Sequence, residues 1–365
     1  AATTGCLNIA IGELAMGAAI VTGTNNIAMG LTSMDALTSG TDNVAIGRLA
    51  FSASTDGVSN IAIGQSALAV SGNDADNNIA IGNTALGAGD VSGNHNIALG
   101  DSAMDALTTG ICNIAIGVNA LGAGTTGCLN VAIGNLALGA GVTTGIDNIA
   151  IGTSAADALT SGCQNIAMGV NALGAGTDGE DNIAIGTSAL AASVDDANCN
   201  IAIGTLALGA GDVSGEDNIA IGMRAADALT TGSHNISLGL DALGTATTGC
   251  RNVAIGLNAI GGAVTVGTNN VALGTNAMDA LTSGTDNIAM GIHALGGTTV
   301  GCFNIAIGCG ALKTASTSTD MEGQIAIGRN AMGTGAVTGS RNIAIGHEAG
   351  LNITSGYRNI IVGRN

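Results

Sequence analysis

The chain has 365 residues, of which 61 are Gly, none is Pro or Trp, and 1% are aromatic. This composition argues against ordinary globular domains, which rely on aromatic side chains for buried area, and the lack of Pro excludes collagen. The net charge of −18 argues against binding to nucleic acid or to an anionic membrane, and no run of about 18 apolar residues predicts membrane insertion.

A repeat covers the whole chain. Its unit is Asn-Ile-Ala-Ile-Gly-x-x-Ala-Leu followed by a turn rich in Gly, Thr, Ser and Asp, and 21 units follow one another at spacings of 17 or 18 residues, with one spacing of 20. Gln324 replaces the anchoring Asn in one unit. The other units begin at Asn8, Asn26, Asn43, Asn60, Asn78, Asn96, Asn113, Asn130, Asn148, Asn165, Asn182, Asn200, Asn218, Asn235, Asn252, Asn270, Asn287, Asn304, Asn342 and Asn359.

The spacings themselves repeat after seven units. Asn8, Asn130 and Asn252 are each 122 residues apart, so the chain consists of three seven-unit blocks at about 8–129, 130–251 and 252–365. No linker interrupts them, and we therefore expect residues 1–365 to form a single continuous solenoid.

Within each unit, the alternation of Ile9, Ala10 and Ile11 predicts a short strand that ends at Gly12. A unit of this length cannot bury its own apolar face, so stacking predicts an all-β fold, a parallel β-solenoid of about 21 coils. At about 4.8 Å per coil, the rod would be on the order of 100 Å long. A string of helical hairpins is disfavoured by the Gly at the same place in every unit.

We expect the large aliphatic residues to fill the interior and the Ala between them to face outward. The outward strip would include Ala10, Ala62, Ala132, Ala202 and Ala306. A flat strip of small side chains would allow close lateral association between copies, although Ala could also simply be tolerated there. The Asn column, including Asn8, Asn26, Asn43, Asn130 and Asn252, should form a ladder of amide hydrogen bonds.

The motif Asn-Ile-Ala-Ile-Gly-x-x-Ala resembles the YadA-type head repeats of trimeric autotransporter adhesins and the Asn-Thr-Ala-Ile-Gly-x-x-Ala-Leu repeats of some phage tail fibres. The resemblance extends over all 21 units. It implies a left-handed parallel β-roll with three chains to a head.

No catalytic, cofactor-binding or metal-binding motif emerges from the sequence. Five Asp residues directly precede the repeat Asn, which leaves Ca²⁺ binding as a less favoured alternative to a solvated acidic turn. Paired Thr residues before the turn Gly leave ice binding open as well. These acidic and Thr positions are Asp42, Asp147, Asp181, Asp217 and Asp286, and Thr108, Thr125, Thr143, Thr230 and Thr247 with the Thr that follows each.

Among the eight Cys residues, Cys112 and Cys128 lie in neighbouring units and are a candidate disulfide. Charge is uneven, because residues 1–312 hold 3 basic and 23 acidic residues whereas residues 313–365 hold 5 basic and 3 acidic. Together with the uncapped solenoid ends, this asymmetry predicts head-to-tail stacking of copies.

The sequence therefore predicts a non-enzymatic structural subunit of an extracellular, cell-surface or virion fibre, with itself as partner in a filament or trimer. The alternative is an adhesin or tail-fibre shaft that binds a cell-surface receptor. An ice- or calcium-binding solenoid is a third hypothesis.

Overall fold

The computed structural model describes residues 4–17, 20–72, 75–193, 197–313, 321–334 and 337–364. The chain divides into two compact units, Ala1–Asp181 and Asn182–Asn365, and the division falls inside the second sequence block. Both units are parallel β-solenoids, which confirms the predicted fold class. No part of the described chain forms a helix that is long and apolar enough to span a membrane.

Each coil contributes one strand of three residues. The strands of unit 1 are β1 (Ile9–Ile11), β2 (Ile27–Met29), β3 (Val44–Ile46), β4 (Ile61–Ile63), β5 (Ile79–Ile81), β6 (Ile97–Leu99), β7 (Ile114–Ile116), β8 (Val131–Ile133), β9 (Ile149–Ile151) and β10 (Ile166–Met168). The strands of unit 2 are β11 (Ile183–Ile185), β12 (Ile201–Ile203), β13 (Ile219–Ile221), β14 (Ile236–Leu238), β15 (Val253–Ile255), β16 (Val271–Leu273), β17 (Ile288–Met290), β18 (Ile305–Ile307), β19 (Ile325–Ile327), β20 (Ile343–Ile345) and β21 (Ile360–Val362).

Within each unit, successive strands pair in parallel and in register. In unit 1, for example, Ile79, Ala80 and Ile81 of β5 lie opposite Ile97, Ala98 and Leu99 of β6. In unit 2, the residues of β12 and β13 pair in the same way. This register stacks equivalent residues of every coil into continuous columns.

The chain turns repeatedly at residues in the left-handed region. In the β3 coil these are Asp42 (φ 61°), Leu49 (φ 59°) and Phe51 (φ 50°). Residues with such side chains disfavour the left-handed conformation. Here, however, the N–H of each residue donates a hydrogen bond to a carbonyl of a neighbouring coil, at a distance of 3.0 Å for Leu49 and 2.9 Å for Phe51. Stacking thus offsets local strain that an isolated unit could not tolerate.

The Gly that ends each strand is required by backbone geometry. Gly117 has φ +136°, and a Cβ built on it would lie 2.5 Å from the carbonyl oxygen of Gly134 in the next coil. Both the dihedral angle and the close approach of neighbouring backbones exclude other residues here. The recurrence of Gly at this place in every unit has this physical cause.

The interior is lined by small side chains together with larger apolar side chains, of which one set forms a column that runs from coil to coil. In the β4 coil, Ala62 from the strand, Ala67 and Leu68 are fully buried. The backbone of Leu68 is in the left-handed region, with φ 51°. Leu, Met or Phe takes this place in most other coils, including Met34, Phe51, Leu86 and Met104.

Candidate association surface

The structure contradicts the predicted orientation of the strands. Ala62, Ala132, Ala202 and Ala306 are 0% exposed, and only Ala10 of the first strand is open to solvent. The Ala column is therefore part of the core and cannot serve as a surface for lateral association. The prediction that the Ala strip faces outward was wrong because it assumed that the larger side chains of the strand occupy the interior.

The physical reason is the narrow cross-section of the coil. Opposite the strand, the interior already holds a second Ala and the large side chain that follows it, Ala67 and Leu68 in the β4 coil. A strand residue that faces this layer must be small. In the penultimate coil, Gly350 replaces the large residue, and in the last coil Ile361 replaces Ala. The larger side chain of Ile361 lies beside the place where Gly350 has no side chain. A Cβ at Gly350 would lie 3.3 Å from the Cδ1 atom of Ile361.

The aliphatic residues face outward instead. The first and third residues of all 21 strands are Ile, Val, Leu or Met. Their side chains are partly exposed, with fractions of 39% for Ile81, 38% for Ile116 and 38% for Met168. We call these two columns the aliphatic face, and each unit carries one continuous stretch of it.

The aliphatic face widens in coils where an exposed apolar residue directly follows the strand Gly. These residues are Leu31, Val118 and Val170 in unit 1 and Met223, Leu240, Leu257 and Ile292 in unit 2. Large contiguous apolar surfaces are uncommon on monomeric soluble proteins and mark sites of association. The aliphatic face is therefore the candidate functional site.

The Asn residues form the ladder that the sequence predicts. The side-chain oxygen of Asn8 accepts hydrogen bonds from the backbone N–H and the side-chain amide of Asn26, at 2.9 and 3.1 Å. The side-chain oxygen of Asn26 accepts the equivalent two hydrogen bonds from Asn43, both at 3.0 Å. The equivalent bonds are present at Asn130 and Asn252. Between Asn26 and Asn342 the ladder is buried, and it holds adjacent coils in register.

Gln324 extends the ladder across the irregular spacing. Its backbone N–H donates to the side-chain oxygen of Asn304 at 2.9 Å, and its own side-chain oxygen accepts from the N–H of Asn342 at 3.1 Å. Its amide group donates to the carbonyl of Gly339. The additional methylene therefore does not interrupt the ladder.

Three carboxyl groups at the turns are half-buried. Burial raises the pKa of Asp105, Asp227 and Asp279 above the ordinary value of 3.8. Hydrogen bonds from the backbone of Gly87 and Ala88 in the preceding coil partly oppose this effect at Asp105. Asp105 and Asp227 accept hydrogen bonds from the turns of the preceding coils, whereas Asp279 accepts from its own backbone and from that of Ala280.

The candidate disulfide is not formed. Cys112 and Cys128 are both free thiols. They are 16 residues apart, whereas the ladder residues of these coils, Asn113 and Asn130, are 17 apart. Cys112 therefore shares its column with Leu129, and the thiol of Cys128 instead accepts a hydrogen bond from the N–H of Ile111 at 3.4 Å.

The positions considered for ligands are not part of the two aliphatic columns. The hydroxyl of Thr108 donates to the carbonyl of Thr125 at 3.0 Å, as that of Thr230 does to Thr247, and so contributes to coil stacking. The following residue, Thr109, is exposed. Within the described ranges, no three His, Cys, Asp or Glu side chains are grouped to hold a metal ion.

One signal in the sequence could have revealed the aliphatic face. Asn8 and Ala10 are two residues apart, so a strand places their side chains on the same side. If the Asn ladder is inside, then the Ala column must be inside too, and Ile9 and Ile11 must point outward.

No family model matches the chain, and no curated protein matches it significantly.

Proposed function

We propose that the protein is a non-enzymatic structural subunit of an extracellular or virion fibre whose copies associate laterally through the aliphatic face. The observation that carries this proposal is the unbroken aliphatic character of both outward columns. All 21 strands keep Ile, Val, Leu or Met there, although the turn residues vary freely between coils. A solvated strand face would instead carry polar residues.

The extent of the surface also supports association. The ten strands of unit 1 present twenty aliphatic side chains, several of them nearly 40% exposed. Together they expose on the order of 1,000 Å² of apolar surface, compared with about 800 Å² per partner in a standard protein interface. Leaving so much apolar surface in water is unfavourable, and a second copy offers an equally apolar face.

Assignment to a fibre rests on the repeat and on its resemblance to adhesin heads and phage tail fibres. End-to-end stacking of copies would extend such a fibre along its axis, and lateral contacts would thicken it. Head-to-tail stacking is a separate prediction that the aliphatic face neither requires nor excludes.

Replacing aliphatic side chains with neutral polar ones tests the proposal. The variant carries Ile81→Gln, Ile116→Gln and Met168→Gln, all on the third residue of unit 1 strands. Because these side chains are already partly solvated, the coils should still form, as circular dichroism would show. We expect sedimentation velocity to show a concentration-dependent assembly for the native chain and at least about tenfold weaker association for the variant.

A matched control carries Ser39→Gln, Thr109→Gln and Ser161→Gln, three exposed turn positions of the same unit. This variant should assemble like the native chain. A native chain that remains monomeric at all concentrations, or equal assembly of the two variants, would disprove association through this face.

A further inference from the structure

Two columns of variable residues border the aliphatic face. The leading column consists of the residues that directly precede the ladder Asn, and the trailing column consists of the residues that directly follow the strand Gly. In the β3 coil these residues are Asp42 and Arg48, and both are exposed. Charges in these two columns lie at the rim of any interface that covers the aliphatic face.

In unit 1 the rim is acidic. Its two columns hold five acidic residues and one basic residue, a net charge of −4. All six are exposed: Glu13, Asp42, Asp101, Asp147, Asp181 and Arg48.

In unit 2 the rim is basic. Its columns hold five Arg and two Asp residues, a net charge of +3. These are Arg251, Arg329, Arg341, Arg358, Arg364, Asp217 and Asp286, all exposed. Unit 2 as a whole contains 7 basic and 12 acidic residues, so the basic residues are concentrated beside the aliphatic face.

Most of these Arg side chains have no acidic partner within their own chain. Arg341 pairs with Glu322 at 3.2 Å. In the described parts of the chain, Arg251, Arg329, Arg358 and Arg364 form no ion pair. Four guanidinium groups therefore remain available to carboxylates of another molecule.

We propose that unit 1 of one copy docks, aliphatic face to aliphatic face, on unit 2 of a second copy. This pairing brings the −4 rim against the +3 rim, whereas unit 1 on unit 1 or unit 2 on unit 2 would bring like charges together. Rim charges contribute little to affinity in salt, but they select among alternative pairings of similar apolar surfaces. The inference rests on the proposed lateral association and specifies its pairing.

Charge exchange between the two rims tests the pairing. One variant carries Arg329→Asp, Arg358→Asp and Arg364→Asp, which changes the rim of unit 2 from +3 to −3. The other carries Asp42→Arg, Asp101→Arg and Asp147→Arg, which changes the rim of unit 1 from −4 to +2. Both residue types already occur in both columns, and Arg251 and Arg358 adopt the same left-handed backbone as Asp42, so the coils should tolerate these changes.

Association is measured by sedimentation velocity at low ionic strength. Each variant alone should associate at least about tenfold more weakly than the native chain, because its two rims then repel each other. The chain that carries both sets of changes should recover native association to within about threefold, since its rims are again opposite in sign. Unchanged association of the single-set variants would overturn the pairing but leave the lateral association intact.

Salt dependence of the native chain provides a second readout that does not depend on any variant folding. Attraction between rims predicts weaker association as NaCl rises from about 0.05 to 0.5 M, because the Debye length shortens. Association that strengthens with salt would overturn the charge-selected pairing. A native chain that stays monomeric at every salt concentration would overturn the proposed function together with the pairing.

Discussion

The side-chain amide of a ladder Asn in the interior of the stack can connect three coils, as Asn113 shows. The side-chain nitrogen of Asn113 donates to Asn96 at 3.1 Å and to the carbonyl of Gly127 at 2.8 Å, and its oxygen accepts the N–H of Asn130 at 3.0 Å. All these groups are buried, so no water can replace a lost partner. The ladder stabilises the stack through polar groups and does so without aromatic packing.

Asn113→Ala should destabilise its coil strongly. The change leaves the Gly127 carbonyl and the Asn130 N–H buried without partners, at about 1–3 kcal/mol each. We expect hydrogen–deuterium exchange across residues 126–134 to accelerate by at least about tenfold. Asn135→Ala, an exposed position one coil further on, should leave exchange unchanged. Equal exchange in the two variants would show that the amide ladder is not stabilising.

At this scale the sequence predicts hydrogen bonding better than orientation. A column of Asn in every unit is sufficient to predict the ladder, because a buried amide needs the amide of the next coil. The direction of Ala62 and of its aliphatic neighbours was mispredicted. Residue size suggested that the aliphatic side chains face inward. Ala62 lies on the same side of the strand as the buried Asn60, and this shows that the Ala faces inward instead.

At the scale of the coil, the half-buried Asp residues make the stability of the folded chain depend on pH. Burial raises the pKa of Asp105, Asp227 and Asp279 in the folded chain, so the folded state binds protons more tightly than the unfolded state does. Their contribution to stability is therefore greatest below pH 3.8 and is lost as pH rises through the raised folded pKa.

Replacing these carboxyls with amides should remove that dependence. In the variant Asp105→Asn, Asp227→Asn and Asp279→Asn, the side-chain oxygen can still accept the backbone hydrogen bonds. We expect thermal melting to show equal stability of variant and native chain near pH 3.5, and a more stable variant at pH 7.

A control with Asp42→Asn, Asp147→Asn and Asp286→Asn removes the same number of charges from exposed sites and corrects for net charge. Lower stability of the buried-site variant at pH 7 would mean that the ionised form is favoured by its hydrogen bonds, contrary to the direction of the pKa shifts.

The backbone of the coil could be predicted only in part. Ile-Ala-Ile-Gly predicts strands of the observed kind, because alternation and the terminal Gly are local signals. The left-handed Leu68 could not be predicted, since Leu disfavours this conformation and adopts it here only because its N–H reaches the carbonyl of Ala85 at 2.9 Å. That hydrogen bond exists only after stacking.

At the scale of the whole molecule, the account depends on which side of each strand faces outward. The fold class follows from the repeat, but the functional surface depends on a choice between two faces that composition alone does not decide. Burial of the Ala column and exposure of the aliphatic columns show which face is outward. The rim charges then distinguish one pairing of copies from another.

The most direct test is oxidation of methionine by hydrogen peroxide, followed by peptide mass spectrometry at rising protein concentration. Met29, Met168 and Met290 lie on the aliphatic face and are 38–39% exposed, whereas Met34, Met104 and Met278 are 0% exposed. Free methionine in the sample reports the amount of active peroxide. We predict that the first three oxidise readily in dilute solution and become protected as copies associate, while the buried three resist throughout. Fast oxidation of Met34 with resistant Met29 would reverse the assigned faces, and equal oxidation of Met29 at every concentration would contradict association through the aliphatic face.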